Sequence, residues 1–237
     1  MNRLEIGLLG LCVAVIGAGV GGVATHTSTA HRAAATTTAP STTTSSIPPS
    51  SSTTVPAGPG SSSQALAVGM LSPTDLGGFY RVNTGSALSL VRSAPCLAGL
   101  GPSPAQSGNA LMGLVGPDAG GLPFIAEIVG SYPGGTAAGV YQQVTAALRS
   151  CPTFSAIIEG VSDHVPLTEG NLQQLGDASS EFEGSFTAAG RPERLQVGVA
   201  LTGQDVICVV WVAASAGYNP IYGDLPSTLS AAIGKLA

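Results

Sequence analysis

Ten residues, Asp205-Val206-Ile207-Cys208-Val209-Val210-Trp211-Val212-Ala213-Ala214, constrain this chain more than any other stretch. In a β-strand, alternate residues point to opposite sides. Val206, Cys208, Val210 and Val212 then share one side, and Ile207, Val209, Trp211 and Ala213 share the other. Both sides are apolar, so both have to be covered. The run is short and rich in β-branched residues, which favours a strand over a buried helix. A central strand with helices or a second layer on each side follows.

The stretches upstream supply the rest of a sheet. Residues 178–188 alternate, with Ala178, Ser180, Phe182, Gly184 and Phe186 on one side and Ser179, Glu181, Glu183, Ser185 and Thr187 toward water. Leu195, Val197, Val199 and Leu201 repeat the alternation after a turn at residues 188–191. With the central strand they predict an antiparallel meander. Residues 79–82, 124–132 and 154–161 read as further strands. Residues 99–121 read as a long loop with a strand near residues 111–115.

Helices are predicted at three places. Residues 65–70 form a short helix or turn, followed by a helical turn that Ser72 caps, with Pro73 at its first position and Gly77-Gly78 at its end. Thr136 caps a helix to Ser150, in which Ala137, Val140, Tyr141, Val144 and Leu148 make one apolar stripe. Cys151-Pro152 ends it, because proline disfavours helix in the residue before it. A closing helix over residues 224–236 carries Leu225, Leu229, Ile233 and Leu236 on one face. The expected fold class is α+β: a curved antiparallel sheet with packed helices.

The domain so read covers residues 64–237. Residues 25–63 are nearly all Thr, Ser, Ala, Pro and Gly, as in Thr36-Thr37-Thr38-Ala39-Pro40 and Ile47-Pro48-Pro49. They hold too little apolar surface to offset the entropy of ordering and are expected to form a disordered linker. Such tracts are typical of O-glycosylated stalks outside the cytoplasm. Residues 6–24 are apolar and follow Arg3. As a helix they rise about 28 Å, close to the hydrocarbon thickness of a bilayer. Two readings stand: an uncleaved signal anchor over residues 1–24, or a signal peptide cut after Ala30, where Ser28-Thr29-Ala30 offers small residues. A third would make Cys12 a lipidated cysteine, but the bulky Leu11 before it argues against that. Each places the domain outside the cytoplasm, single-pass at the cell membrane or secreted.

Charged residues are 9% of the chain and the net charge is −5, with Lys and Arg scattered singly. No basic cluster could neutralise several phosphates, which argues against a nucleic-acid partner. In an oxidising compartment Cys96 and Cys151 are expected to be bridged. Closing a loop of that length contributes about 4 kcal/mol in the chain-entropy account. Cys208 is then left as a buried free thiol, a small hydrophobe.

Catalytic constellations are poorly supplied. His164 is the only histidine after the linker, and nothing local pairs it with Cys208. No Gly-x-Ser-x-Gly elbow precedes a helix. His and Cys are too few for zinc at any usual spacing. Glu181 and Glu183 share a strand face and could in principle serve glycoside hydrolysis, but a solvated face is the simpler reading. Gly116-Pro117-Asp118-Ala119-Gly120-Gly121 lacks the lysine of a phosphate loop. No cofactor, metal or catalytic residue is therefore expected. Tyr218, Asn219 and Tyr222, in the loop over residues 216–223, are the candidate binding residues, with Trp211 on the strand before it.

Met70-Leu71-Ser72-Pro73-Thr74-Asp75-Leu76, Ala94-Pro95-Cys96, the helix ending in Ser150-Cys151 and the strand over residues 205–212 together resemble the PknH-type extracytoplasmic sensor domain of mycobacterial receptor kinases and of lipoproteins that carry it alone. The resemblance spans most of residues 65–237. It implies a curved sheet with helices, a cleft, disulfides and a ligand of unknown identity. This chain departs from members with four domain cysteines, which have a second bridge, and it carries no kinase domain. A PsbP-like or other secreted α+β fold is the structural alternative. The function expected is an envelope sensor or ligand-binding domain without catalysis, its partner a small molecule or envelope component. The alternatives are a secreted hydrolase or an adhesion module. An apolar cleft with few titratable groups would mark a binding domain, and convergent groups of shifted pKa would mark an enzyme.

Overall fold

The structure, a computed structural model, describes residues 60–118, 120–158, 161–215 and 223–237. The expected anchor and most of the expected linker lie outside the described residues. Helix α1 (Ser63–Val68) leads through a 3-10 turn (Pro73–Leu76) to the short strand β1 (Arg81–Val82). Helix α2 (Thr84–Ser93) and a second 3-10 segment (Pro95–Leu100) precede β2 (Gly108–Val115) and β3 (Phe124–Ser131). Helix α3 (Ala137–Arg149) is followed by β4 (Phe154–Ile158), β5 (Val161–Val165) and β6 (Thr168–Glu169). The meander β7 (Ala178–Ala188), β8 (Arg191–Thr202) and β9 (Asp205–Ala214) and helix α4 (Leu225–Leu236) complete the chain.

Seven strands form one antiparallel sheet in the order β1-β2-β3-β9-β8-β7-β6, and β4 and β5 form a separate hairpin. The fold class is α+β, as expected. Strand β9 stands fourth of the seven, between β3 and β8, and its two apolar sides face two separate cores. Val206, Cys208, Val210 and Val212 belong to the first core, under α2, the 3-10 segment and α3. Ile207, Val209, Trp211 and Ala213 belong to the second, under α1 and α4. Full burial of an aliphatic side chain contributes about 1.5–3 kcal/mol, so this one strand anchors both layers.

Each layer comes close where a strand lacks a side chain. A Cβ on Gly198 would stand 3.1 Å from Leu225 and Leu229 of α4, and one on Gly113 would run into Asn83 and Ala87 of α2. The glycines let helix backbone settle onto the sheet at those points.

Several expectations shift. Ser61 and Ser63 already bond to Ser131 and Asn109, so the ordered domain includes residues that composition assigns to the linker. Helix α2 has no counterpart in the sequence reading, because Gly85 and three serines dilute its stripe. Strand β2 is longer than expected and begins inside the Gly-rich stretch. The single strand expected at residues 154–161 is a hairpin. Thr136 does not cap α3: its backbone is already helical, and its hydroxyl donates to Pro133 O at 3.0 Å. Ser72 stands at the N-cap of its 3-10 turn, where its N–H donates to Asp75 Oδ2 at 2.7 Å, but its hydroxyl also donates to Asp75 and does not accept from the turn's backbone; Gly77 is left-handed at the other end.

Candidate functional site

The first face carries a hollow of about 200 Å³ between α2, the end of the second 3-10 segment, and strands β2 and β3. Its walls are set by local chemistry. Asn83 caps α2 through Oδ1, which accepts from Ser86 N at 3.2 Å, and Asn83 N donates to Gly113 O at 2.7 Å. These bonds fix the start of α2 on β2. Ala87 and Leu90 then point into the core, which leaves Leu88 and Val91 at the side of the helix. Leu88 is 39% exposed and stands at the mouth.

The opposite wall comes from residues 95–102. Leu97 and Leu100 bury their side chains, and Cys96 is bridged to Cys151 at the end of α3, with Cα atoms 6.0 Å apart. The expected disulfide is thus present and ties this wall to the α3 terminus. Gln106 continues the wall by donating from Nε2 to the Tyr132 hydroxyl at 2.7 Å and accepting from Asn109 Nδ2 at 3.2 Å. Leu100, Pro102, Ala110, Leu111 and Ile128 complete the apolar lining with Leu88 and Val91. Asn109 is its one polar side chain, and no titratable group lines it.

A larger, open hollow of about 290 Å³ lies beside Thr168, Glu183, Ser185, Arg194 and Ser215. Its charges neutralise each other, since Arg194 Nη2 lies 2.7 Å from Glu183 Oε2. The smaller hollow is the better formed apolar site.

The residues with chemical potential are dispersed. Cys208 is a free thiol, fully buried between Ile128 and Val199 in the sheet register, and burial pushes it up to about 12. A nucleophile needs the opposite shift. His164 is exposed in the separate hairpin, with Nδ1 3.1 Å from Ser155 Oγ. The two are not brought together.

The reading that put Glu181 in water is corrected. Glu181 is 8% exposed, because Gly170 packs on it and Gln196 Nε2 donates to its Oε1 at 2.6 Å. Glu183 is paired with Arg194 at 2.7 Å. Trp211 is 3% exposed and packs in the second core. Tyr218, Asn219 and Tyr222 lie outside the described residues. Among the described residues no three His, Cys, Asp or Glu side chains cluster as metal ligands, and no helix is long and apolar enough to cross a membrane.

The second face hides a group that the sequence reading passed over. Glu127, in the middle of β3, is 1% exposed and accepts from Leu71 N at 2.7 Å. Burial pushes its carboxyl up to about 7. The available signal was a lone acid within the apolar run Phe124-Ile125-Ala126-Glu127-Ile128-Val129.

No family model and no curated protein matches the chain. Among solved structures, the chain is similar to the extracellular domain of PknH from Mycobacterium tuberculosis, at 14% identity and a TM-score of 0.47. The match covers 75% of this chain and 97% of that one. The resemblance read from short motifs has this counterpart among structures.

Proposed function

We propose that this chain is an extracytoplasmic, non-catalytic binding domain of the cell envelope that holds an apolar group in the cleft over β2 and β3. The carrying observation is that cleft: seven apolar side chains and one asparagine, without a titratable group. The disulfide on its wall supports an oxidising compartment. The apolar N-terminal run and the Thr/Ser/Pro stretch support tethering to, or export across, a membrane.

The volume limits the ligand. A cavity of about 150 Å³ takes a benzene ring, and drug-sized sites run to about 300–1,000 Å³. The cleft therefore suits one ring, a short branched alkyl group or the end of a longer chain whose remainder stays outside. Titration calorimetry of the full chain with straight-chain alcohols from butanol to decanol tests this. Affinity is expected to rise with chain length and level off once the cleft is filled. Leu88→Asp, at an exposed position on the mouth, is expected to abolish binding and leave the melting temperature within a few degrees. An absence of binding to every alcohol, or equal binding by the variant, would overturn the reading.

A further inference from the structure

The second face is closed by a strap, residues 70–76, that crosses β3 over Glu127. Its first two residues, Met70 and Leu71, are buried, and Leu71 N donates to Glu127 Oε2. The outer half is pinned by Asp75, whose Oδ2 accepts from Ser72 N at 2.7 Å and from Lys235 Nζ of α4 at 2.8 Å. Glycines stand at both ends: Gly69 caps α1, and Gly77 and Gly78 both have φ of 80°. The strap thus has backbone joints on either side of its contact with the sheet.

Glu127 Oε1 is buried and has no hydrogen-bond partner among the described residues. The surrounding charges do not compensate it. The 3-10 turn contributes Asp75 and α4 contributes Lys235, but these two are paired with each other. Helix α1 and strand β2 carry no charged residue. Strand β9 carries only Asp205, at its far end opposite Ser131. A carboxylate here is a buried anion with a single donor, whereas a protonated carboxyl keeps the Leu71 bond at no cost in charge burial.

We propose that Glu127 and the strap form a pH-sensitive latch, seated while the carboxyl is protonated and loosened when it ionises. Opening the strap gives the carboxylate the water it lacks. The direction follows from proton linkage. Open, the carboxyl titrates near its ordinary value of 4.5; closed, it titrates at about 7. Between those values the closed form binds more protons, so a rise in pH favours opening, and above the upper value the effect is constant. The latch lies on the opposite face from the cleft and does not depend on what the cleft binds.

Hydrogen exchange of the full chain, followed from about pH 5 to about pH 8 and corrected for intrinsic exchange, tests it. Protection of the Leu71 amide is expected to fall by on the order of a hundredfold up to about pH 7 and then level. Amides of β8 and β9 should not follow, and in Glu127→Gln the Leu71 amide should keep its low-pH protection throughout. The same fall in wild type and variant, or parallel loss in β9, would overturn the proposal. Should the variant fail to fold, the carboxyl carbon shift of Glu127 in the wild-type chain decides. A midpoint near 7 that tracks the Leu71 signal supports the latch, and a midpoint near the ordinary glutamate value overturns it.

Discussion

On one face of the sheet the cover is tied down by a covalent bond and stands partly away from the strands. On the other it is tied by hydrogen bonds and an ion pair and closes over a buried carboxyl. Both faces start from the same alternation in β9, and both are filled by aliphatic side chains. They differ in what holds the last layer. The Cys96–Cys151 bridge, together with buried Leu97 and Leu100, fixes residues 95–102, and a hollow persists between that segment and α2. The strap over Glu127 has no such bond and relies on Met70, Leu71 and polar contacts that respond to pH. A covalent tie permits a permanent cavity, and a non-covalent tie permits a switch.

The comparison can be broken most forcefully at the bridge. Cys96→Ser is expected to cost about 2–5 kcal/mol of stability in urea unfolding. It should weaken alcohol binding in the cleft even where the domain remains folded, and leave the Leu71–Glu127 contact intact. Loss of both faces together would show that the bridge supports the whole domain rather than one wall.

Leu90→Ala and Leu229→Ala remove equally buried leucines from opposite faces. Each is expected to cost about 2–5 kcal/mol. The value for Leu90 should fall toward the lower end, because a layer beside a hollow can relax. Chemical denaturation of the pair measures the difference, and a markedly costlier Leu90 substitution would contradict it.

Glu127→Gln is expected to act in the other direction and stabilise the domain at neutral pH. An acid whose folded pKa is raised from 4.5 to about 7 subtracts stability as pH rises through that window. The loss is on the order of 3 kcal/mol at its limit, and the amide removes it. Thermal unfolding at about pH 5 and about pH 8 should therefore differ in the wild type and converge in the variant.

The smallest effect is expected at Asp75–Lys235. The pair is close to a third exposed and worth at most about 1 kcal/mol. The Lys235 and Ser72 hydrogen bonds hold the Asp75 carboxyl at about 2, against an ordinary 3.8. Its contribution is thus complete above the ordinary value and lost as pH falls through the lower one. Lys235→Met should chiefly weaken that acid limb, with a smaller loss in the neutral range because Lys235 also favours the Glu127 carboxylate and pins the strap; a neutral-range loss larger than the acid one would contradict this ranking.

How far the sequence carried can be judged at particular elements. Strand β9, the β7–β8–β9 meander and α4 were legible because their periodicities are uninterrupted and bounded by Gly or capping residues. The bridge was legible because the other cysteine of the folded part sits in the middle of an apolar strand. Helix α2 and the first part of β2 were obscured by Gly85, Gly108 and Gly113, which signal loop locally; Gly113 in fact permits the close approach of Asn83 and Ala87, and Gly108 that of residues 61–63. Those two elements form the cleft, so the site was the least readable part of the fold. Glu181 was misplaced because alternation assigns a side but not a cover: Gly170 and Gln196 arrive from distant sequence.

The most direct test of the binding account is methyl-resolved NMR of the full chain during titration with hexanol. Shifts are predicted for the methyls of Leu88, Val91, Leu111 and Ile128, saturating together, while Leu66, Leu225 and Leu229 on the other face stay in place. Shifts spread equally over both faces, or confined to the second, would contradict the assignment of the cleft as the binding site.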